Sequence, residues 1–373
     1  MSELIPITVV SIVLALLSHY YSDYDSINAR YRKKERLFYC VMAIALILYA
    51  GLRTIYNDTY TYRSIYNTIP RDTSLMGGIE WFKLGENPGF HFTNRVLVRL
   101  GFSTQSYLMF YSAITLGIYL WFFRKYTCNL PVTIFLFVTF CGFTFTMAAI
   151  KQCVAMALCM VATDRSIRGK HISFVLWVLI ASLYHPYALM YLVVPALFFR
   201  PWSVTGVIVV ILFACAGMVM ESLLGTILNV TDMLGENYDA DAFIGEGVNP
   251  FRLSAISVPI LLSLLTRRQI ERENNRTQYL MVNLAMLNGE IMFLALFGTA
   301  NYFARLANYF LPFQAVAIPW LMNHFEQRSK KMLMSVAAVA YILFFIYENM
   351  YSGGFDNIFS SVTLWEYLTS LFK

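Results

Sequence analysis

The sequence is short of charge. Only 13% of its 373 residues are Asp, Glu, Lys or Arg, while 58% are hydrophobic. An ordinary soluble domain carries about twice that share of charge, so a soluble globular enzyme, a disordered chain and a coiled coil are excluded. Strict apolar/polar alternation is also missing, which excludes a membrane β-barrel. Cysteine is scarce: Cys40, Cys128, Cys141, Cys153, Cys159 and Cys215 lie in or beside apolar runs, with no CxxC pair. They read as small buried hydrophobes, and frame neither a disulfide scaffold nor a metal site. There is no HExxH, no Walker loop and no GxGxxG. What is present is enough apolar residue for roughly eleven spans of ~20 residues. The chain therefore reads as an all-α polytopic membrane protein, a single integral domain over 1–373. The net charge of +6 then reflects basic cytoplasmic loops and not a nucleic-acid partner.

The first apolar run, Leu4 to Leu17, lacks a basic leader and ends at Ser18-His19-Tyr20, so it reads as a retained first span. The cluster Arg30, Arg32, Lys33, Lys34 and Arg36 follows it and is assigned to the cytoplasm. The second span, about Phe38 to Leu52, delivers Arg53 to the outer face, and an outer loop covers about 53–102. A span near Gln105 to Phe123 returns to Arg124 and Lys125.

The run Leu130 to Thr163 is apolar except for Lys151, and both its ends carry cytoplasmic-type charge. At about 1.5 Å per residue it is far too long for one crossing of a ~30 Å core. It must be a hairpin, with its outer turn near Ala148 to Lys151. The run His171 to Phe199 repeats the pattern, with a break at His185-Pro186. Its arms are short, so that turn is expected to be sunk below the outer surface, inside a cavity. Further spans follow near Val204 to Met220, Leu253 to Thr266, Tyr279 to Phe297, Arg305 to Met322 and Met332 to Tyr347, about twelve in all. A second outer loop covers 221–252. The segment 351–373 places Ile358, Val362, Trp365 and Phe372 near one face of an interfacial helix.

Charge counting alone brings Arg53, Asp58, Glu86, Lys151, His185 and Arg305 to the outer side. Each has an ordinary reading. Arg53 suits a snorkelling interfacial arginine, Asp58 a helix cap and Glu86 a loop carboxylate. Lys151 suits snorkelling from a turn, and His185 a hydrogen-bonded turn histidine. Glu290, inside a span, suits a partner for Lys151 or Arg305. Arg305 would start an outer-facing helix, where its planar fork suits phosphate oxygens. Together they form a set with a chemistry: three cations to stabilise a leaving diphosphate, and a carboxylate or histidine to take a proton from an attacking hydroxyl. Tyr56, Tyr60, Tyr62, Tyr66 and Trp81 share the first outer loop and suit either a sugar face or an interfacial belt.

Gly51-Leu52-Arg53, Asn57-Asp58-Thr59 and Tyr62 resemble the opening signature of the EpsG family of Wzy-like polysaccharide polymerases. Asn57 stands where that signature has glycine. Glu86-Asn87-Pro88-Gly89-Phe90 matches the family's E-P-G-F/Y with one inserted Asn, and Lys151-Gln152 its Arg-Gln. Tyr184-His185-Pro186-Tyr187-Ala188 matches F-H-x-S/A, and Arg305 with Tyr309-Phe310 matches R-x-x-x-Y-F. The resemblance runs in order from about Gly51 to Phe310. It implies a metal-independent glycosyltransferase of GT-C type, without cofactor, in the bacterial cytoplasmic membrane with its site facing outward. The implied substrates are undecaprenyl-diphosphate-linked glycan donor and acceptor. A chain-length regulator protein is a candidate partner, in O-antigen, capsule or exopolysaccharide synthesis. In this set His185, Asp58 and Glu86 are the catalytic candidates, and Arg53, Lys151 and Arg305 the diphosphate-binding ones. Gln152, Glu290, Tyr62 and Tyr309 support them. A glycan ligase and a lipid-linked oligosaccharide flippase are the alternatives. A transporter would spread polar residues through the membrane depth and often shows paired halves, whereas here the candidates cluster at one face.

Overall fold

The computed structural model describes residues 3–25, 30–218, 230, 248–296, 300–352 and 355–370. Among these the fold is helical, with two small two-stranded ribbons. Most of the segment 221–252, expected as an outer loop, and Phe372 lie outside the described residues.

Helices begin where the sequence supplies a cap or a proline. Ser103 accepts from the Ser106 N–H at the head of Thr104–Tyr126, and Asn129 from Val132 at the head of Leu130–Thr139. Each satisfies a donor the helix itself cannot. Pro88, Pro131, Pro250, Pro259 and Pro312 sit in first turns, where the missing N–H costs nothing.

Among the described residues, two helices are each long and apolar enough to cross a membrane, Thr104–Tyr126 and Gln327–Tyr351. Leu130–Thr139 and Gly142–Ala148, bent by 52°, form a third candidate. Leu4–Tyr20, Leu37–Gly51, His171–Ser182, Pro186–Leu197 and Leu311–Met322 are apolar but shorter. Val9, Leu16, Ile172, Leu176, Ile211 and Val339 are exposed, an apolar perimeter that suits lipid rather than water.

Both expected breaks are present. Ala149, at φ −105° and ψ 71°, separates Gly142–Ala148 from Ile150–Ile167. The chain leaves one end of the bundle at Leu130 and is back there by Asp164. That residue pairs with Lys125 and accepts from the Tyr126 hydroxyl at 2.6 Å. The run is therefore a hairpin. The second break, Leu183 to His185, separates His171–Ser182 from the 3₁₀ stretch Pro186–Leu197.

Four elements depart from expectation, among them the run Leu253 to Thr266, which is two short helices, Pro250–Ile256 and Val258–Leu265, split at Ser257. The segment expected as one span from Arg305 to Met322 is two helices, Ala300–Asn308 and Leu311–Met322. Arg305 thus lies in the last turn of a short helix, not at the start of a long one, because Pro312 restarts the chain after Tyr309-Phe310. The basic cluster after the first helix is partly a ribbon, Arg30–Lys33 on Asp23–Asp25. At the other terminus, Ser360–Ser361 pairs antiparallel with Arg53–Ile55, and Val362 N–H donates to Leu52 O at 2.9 Å. Only Leu364–Ser370 follows as helix, so Ile358, Val362 and Trp365 do not share one helix.

Candidate active site

Three breaks in the apolar chain and one short helix converge on a cavity of about 600 Å³. Asn57 adopts φ +49°, a left-handed conformation that favours Gly first and Asn next. It turns the chain from strand Arg53–Ile55 into helix Thr59–Asn67. Asp58 occupies the cap position of that helix but makes no capping hydrogen bond, so its carboxylate is left for the cavity it lines.

Lys151 and Gln152 enter from the first turn after the Ala149 break. Gln152 Nε2 donates to Arg305 O at 2.6 Å, tying that turn to the helix that supplies Arg305. His185 enters from the second break and is 6% exposed. Its Nδ1 lies 2.9 Å from Tyr309 Oη, and Tyr191 in turn donates to Tyr309 O at 2.7 Å. Tyr309 thus orients the imidazole and leaves Nε2 for the cavity.

Tyr62 forms part of the wall. Burial pushes its phenol up, Asp58 adds to that rise, and Arg305 opposes it, so opposite charges flank one hydroxyl. His91, also lining the cavity, is held below its ordinary range by burial first, then by Lys151 and Arg95. The cavity therefore brings together Asp58, Lys151, Gln152, His185 and Arg305, with Tyr62 in its wall and Tyr309 behind His185.

The remaining expected site residues lie elsewhere. Arg53 does not line the cavity. It is buried, donating from Nε to Thr59 Oγ1 at 3.2 Å, from Nη1 to Ser112 Oγ at 3.0 Å, and to the Ala50 carbonyl. Those bonds place it behind the Asp58-Thr59 turn. Glu86 lines an adjoining cavity of about 350 Å³ with Lys83, Arg95 and His91, and His91 belongs to both cavities. Glu290 is buried in helix Arg276–Leu294. It lines neither cavity, and among the described residues no ion pair joins it to Lys151 or Arg305. Of the loop aromatics, Tyr66 stacks on Tyr107 with centroids 4.2 Å apart, and Tyr60 is exposed.

The motif glycines have a physical cause here. Gly89 N–H donates to Leu183 O at 2.8 Å, and a Cβ at Gly89 would stand 2.8 Å from Leu183 Cβ. The helix Pro88–Arg99 can approach the His185 turn only without a side chain there. A Cβ at Gly51 would likewise collide with Met109, backbone included.

Sequence reading missed His91, Arg252 and Glu348. His91 directly follows the Pro88-Gly89-Phe90 motif, and that adjacency was the available signal. Arg252 and Glu348 pair across 96 positions, and no local pattern announces such a contact.

No curated protein and no solved structure matches the chain. A family model described as "EpsG family" matches residues 36–368. That range contains every motif placed above, and the chain belongs to the EpsG family, a family of Wzy-like polymerases.

Proposed function

We propose that the protein joins undecaprenyl-diphosphate-linked oligosaccharide repeat units at the outer face of the bacterial cytoplasmic membrane and releases undecaprenyl diphosphate. The family implies a membrane-integral, glycosyltransferase-like polymerase acting on lipid-linked glycans. The observation that carries the finer reading is the cavity that gathers Lys151 and Arg305 with Asp58 and His185.

In this reaction an acceptor hydroxyl oxygen attacks the anomeric carbon of the donor glycan. The bond from that carbon to the diphosphate oxygen breaks, and its electron pair leaves with the diphosphate. Negative charge grows on the leaving group, so fixed cations lower the barrier more than they stabilise the ground state. Lys151 and Arg305 take that role, with Gln152 holding the Arg305 backbone. The hydroxyl proton passes to His185 Nε2 or to the Asp58 carboxylate. For His185 the competent tautomer has Nδ1–H donated to Tyr309 Oη, which leaves Nε2 bare. Glu86 in the adjoining cavity and His91, which lines both, orient the acceptor sugar. Arg53 acts through the Asp58-Thr59 turn as a positioning residue. About twelve membrane crossings in a GT-C-type arrangement complete the reading.

The test is reconstitution. Purified protein is given synthetic undecaprenyl-diphosphate repeat units, with no nucleotide sugar, and with EDTA present or absent. A ladder of lengthening glycan on the lipid, with undecaprenyl diphosphate released, is expected in both conditions. Passage of intact lipid-linked units across a vesicle membrane without chain growth would replace polymerisation by transport. Glycan transfer to a different acceptor would make the protein a ligase.

A further inference from the structure

A second chamber, of about 370 Å³, opens beside the cavity of Asp58 and Arg305. The two share Asn57, Phe145, Ala148, Ala304 and Asn308 as a common wall. Their electrostatics differ. Among the described residues, the charged ones lining the second chamber are Arg252 and Glu348, and they neutralise each other. Arg252 Nε donates to Glu348 Oε1 at 3.1 Å and Nη2 to Oε2 at 2.5 Å. A diphosphate gains little from such a fork, because the guanidinium is already matched to a carboxylate.

A neutral polyhydroxyl ligand gains more. Two of the guanidinium's five N–H groups are engaged in the pair, and each carboxylate oxygen keeps a further acceptor site. Asn349 spends its amide N–H groups on Phe345 O at 2.9 Å and Cys141 Sγ at 3.3 Å, which leaves its amide oxygen as an acceptor. Thr144 donates to Cys141 O at 3.0 Å and keeps its acceptor capacity. Tyr56 and Phe355, with centroids 5.0 Å apart, supply ring surface for a C–H face. Mixed donors and acceptors, no net charge and aromatic walls are what a sugar ring recognises, and the volume falls in the usual range for a small-molecule site.

The backbone at this place is also unusual. Glu348 and Asn349 lie on the π-helical stretch Tyr347–Ser352, a distortion that recurs at functional sites. Asn249 Nδ2 braces it by donating to Tyr347 Oη at 2.6 Å. On the shared wall stands Asn57 at φ +49°.

We propose that this chamber is a sugar subsite, holding the neutral reducing-end sugar of the glycan whose diphosphate sits against Lys151 and Arg305. Its assignment to that glycan rests on the polymerase reading, whereas its choice of a neutral sugar over an anion rests on the Arg252–Glu348 pair alone. The division is then complete in chemical terms: cations for the leaving group, a neutral chamber for the donor sugar, and the Glu86 side for the acceptor.

Two probes separate these roles. One is the free oligosaccharide released by mild acid from the lipid-linked repeat units of the producing cells. The other is undecaprenyl diphosphate carrying no sugar. Both are titrated by calorimetry into the purified full chain in lipid nanodiscs. Glu348→Gln should weaken oligosaccharide binding about tenfold or more while leaving undecaprenyl diphosphate within about twofold. The double variant Arg252→Met/Glu348→Met, which strands no buried charge, should do the same. Lys151→Ala and Arg305→Ala should show the opposite selectivity. Unchanged oligosaccharide binding in the Glu348 variants, no binding by the unaltered protein, or equal weakening of both probes would overturn the subsite. Glu348-dependent sugar binding by a chain that ignores undecaprenyl diphosphate would keep the chamber and overturn the polymerase reading.

Discussion

Arg53, Lys151 and Arg305 carry the same formal charge in different surroundings. Arg53 is locked behind the site by hydrogen bonds to Thr59, Ser112 and the Ala50 carbonyl. Lys151 and Arg305 line the cavity itself. Arg305→Ala should therefore lower polymerisation by about 10²–10³-fold, the usual cost of one charge-stabilising donor. Lys151→Ala should cost less, because an ammonium lacks the bidentate fork, and Lys151→Arg should retain function. Arg53→Lys is expected to act on stability. It removes the fixed Nε contact to Thr59 and should cost about 1.5–3 kcal/mol, the range for a hydrogen bond to a charged group, read as a lower Tm. Its affinity for undecaprenyl diphosphate should fall less than that of Arg305→Ala. An Arg53→Lys protein of normal Tm that had lost diphosphate binding would place Arg53 back among the ligands. At His185 the informative change is Tyr309→Phe, which deletes the hydroxyl at Nδ1. It should lower the chemical rate with little change in lipid affinity, since positioning a base is worth up to ~10²–10⁴-fold.

At the scale of single elements, the glycines and asparagines between Gly51 and Gly89 decide whether the site assembles. Gly89→Ala should push the Pro88–Arg99 helix away from Leu183, because the new Cβ meets backbone as well as side chain. Overpacking of this kind costs about 1–3 kcal/mol. The His185 turn is the part displaced, so activity should fall further than Tm alone explains. Asn57→Gly should be tolerated and Asn57→Val should not, since only the first accepts φ +49°. Glycan ladders from the two variants check this directly. The same elements show what was legible beforehand. The breaks at Ala149 and His185 followed from run length and flanking charge, both properties of the sequence alone. The placement of Asp58, Lys151, His185 and Arg305 in one cavity was legible in the same way, through sidedness and motif order. The inward turn of Arg53 was not, because charge counting fixes which end of a helix a residue occupies and says nothing of which way its side chain points. Nor was the strand Ser360–Ser361 on Arg53–Ile55, since so short a polar stretch carries no periodicity. Pairs such as Arg252 and Glu348 are closed by the fold across 96 positions, beyond any local pattern.

For the whole molecule, the basic clusters meet at one end of the bundle and the cavity lies away from them. Lys34 donates to the Arg124 carbonyl, and Arg124 to Glu35 O at 2.7 Å. Asp164 joins Lys125 to Arg168. Asn323 reaches Cys128 Sγ at 3.3 Å, and Lys330 bonds Asn323. His324 Nε2 lies 3.1 Å from Glu273 Oε1, and Glu271 pairs with Arg200 at 3.0 Å. Five basic segments far apart in sequence thus share one side, as cytoplasmic loops should. Ser74 belongs to the other side: Arg95 donates to Ser74 O at 2.8 Å from the helix that docks on the His185 turn. Both Ser74 and Asn274 are exposed, so orientation can be read chemically. In a chain freed of its six cysteines, Ser74→Cys should react with a membrane-impermeant maleimide in intact cells. Asn274→Cys should react only after the membrane is opened. The outcome bears on the reaction as much as on topology. A cavity facing outward has no supply of nucleotide sugar, so its donor must bring activation with it, and a diphosphate-linked lipid does that. If Asn274→Cys were labelled from outside, the cavity would face the cytoplasm. The cations would then face a nucleotide donor, and the lipid-linked polymerase reading would lose its physical basis.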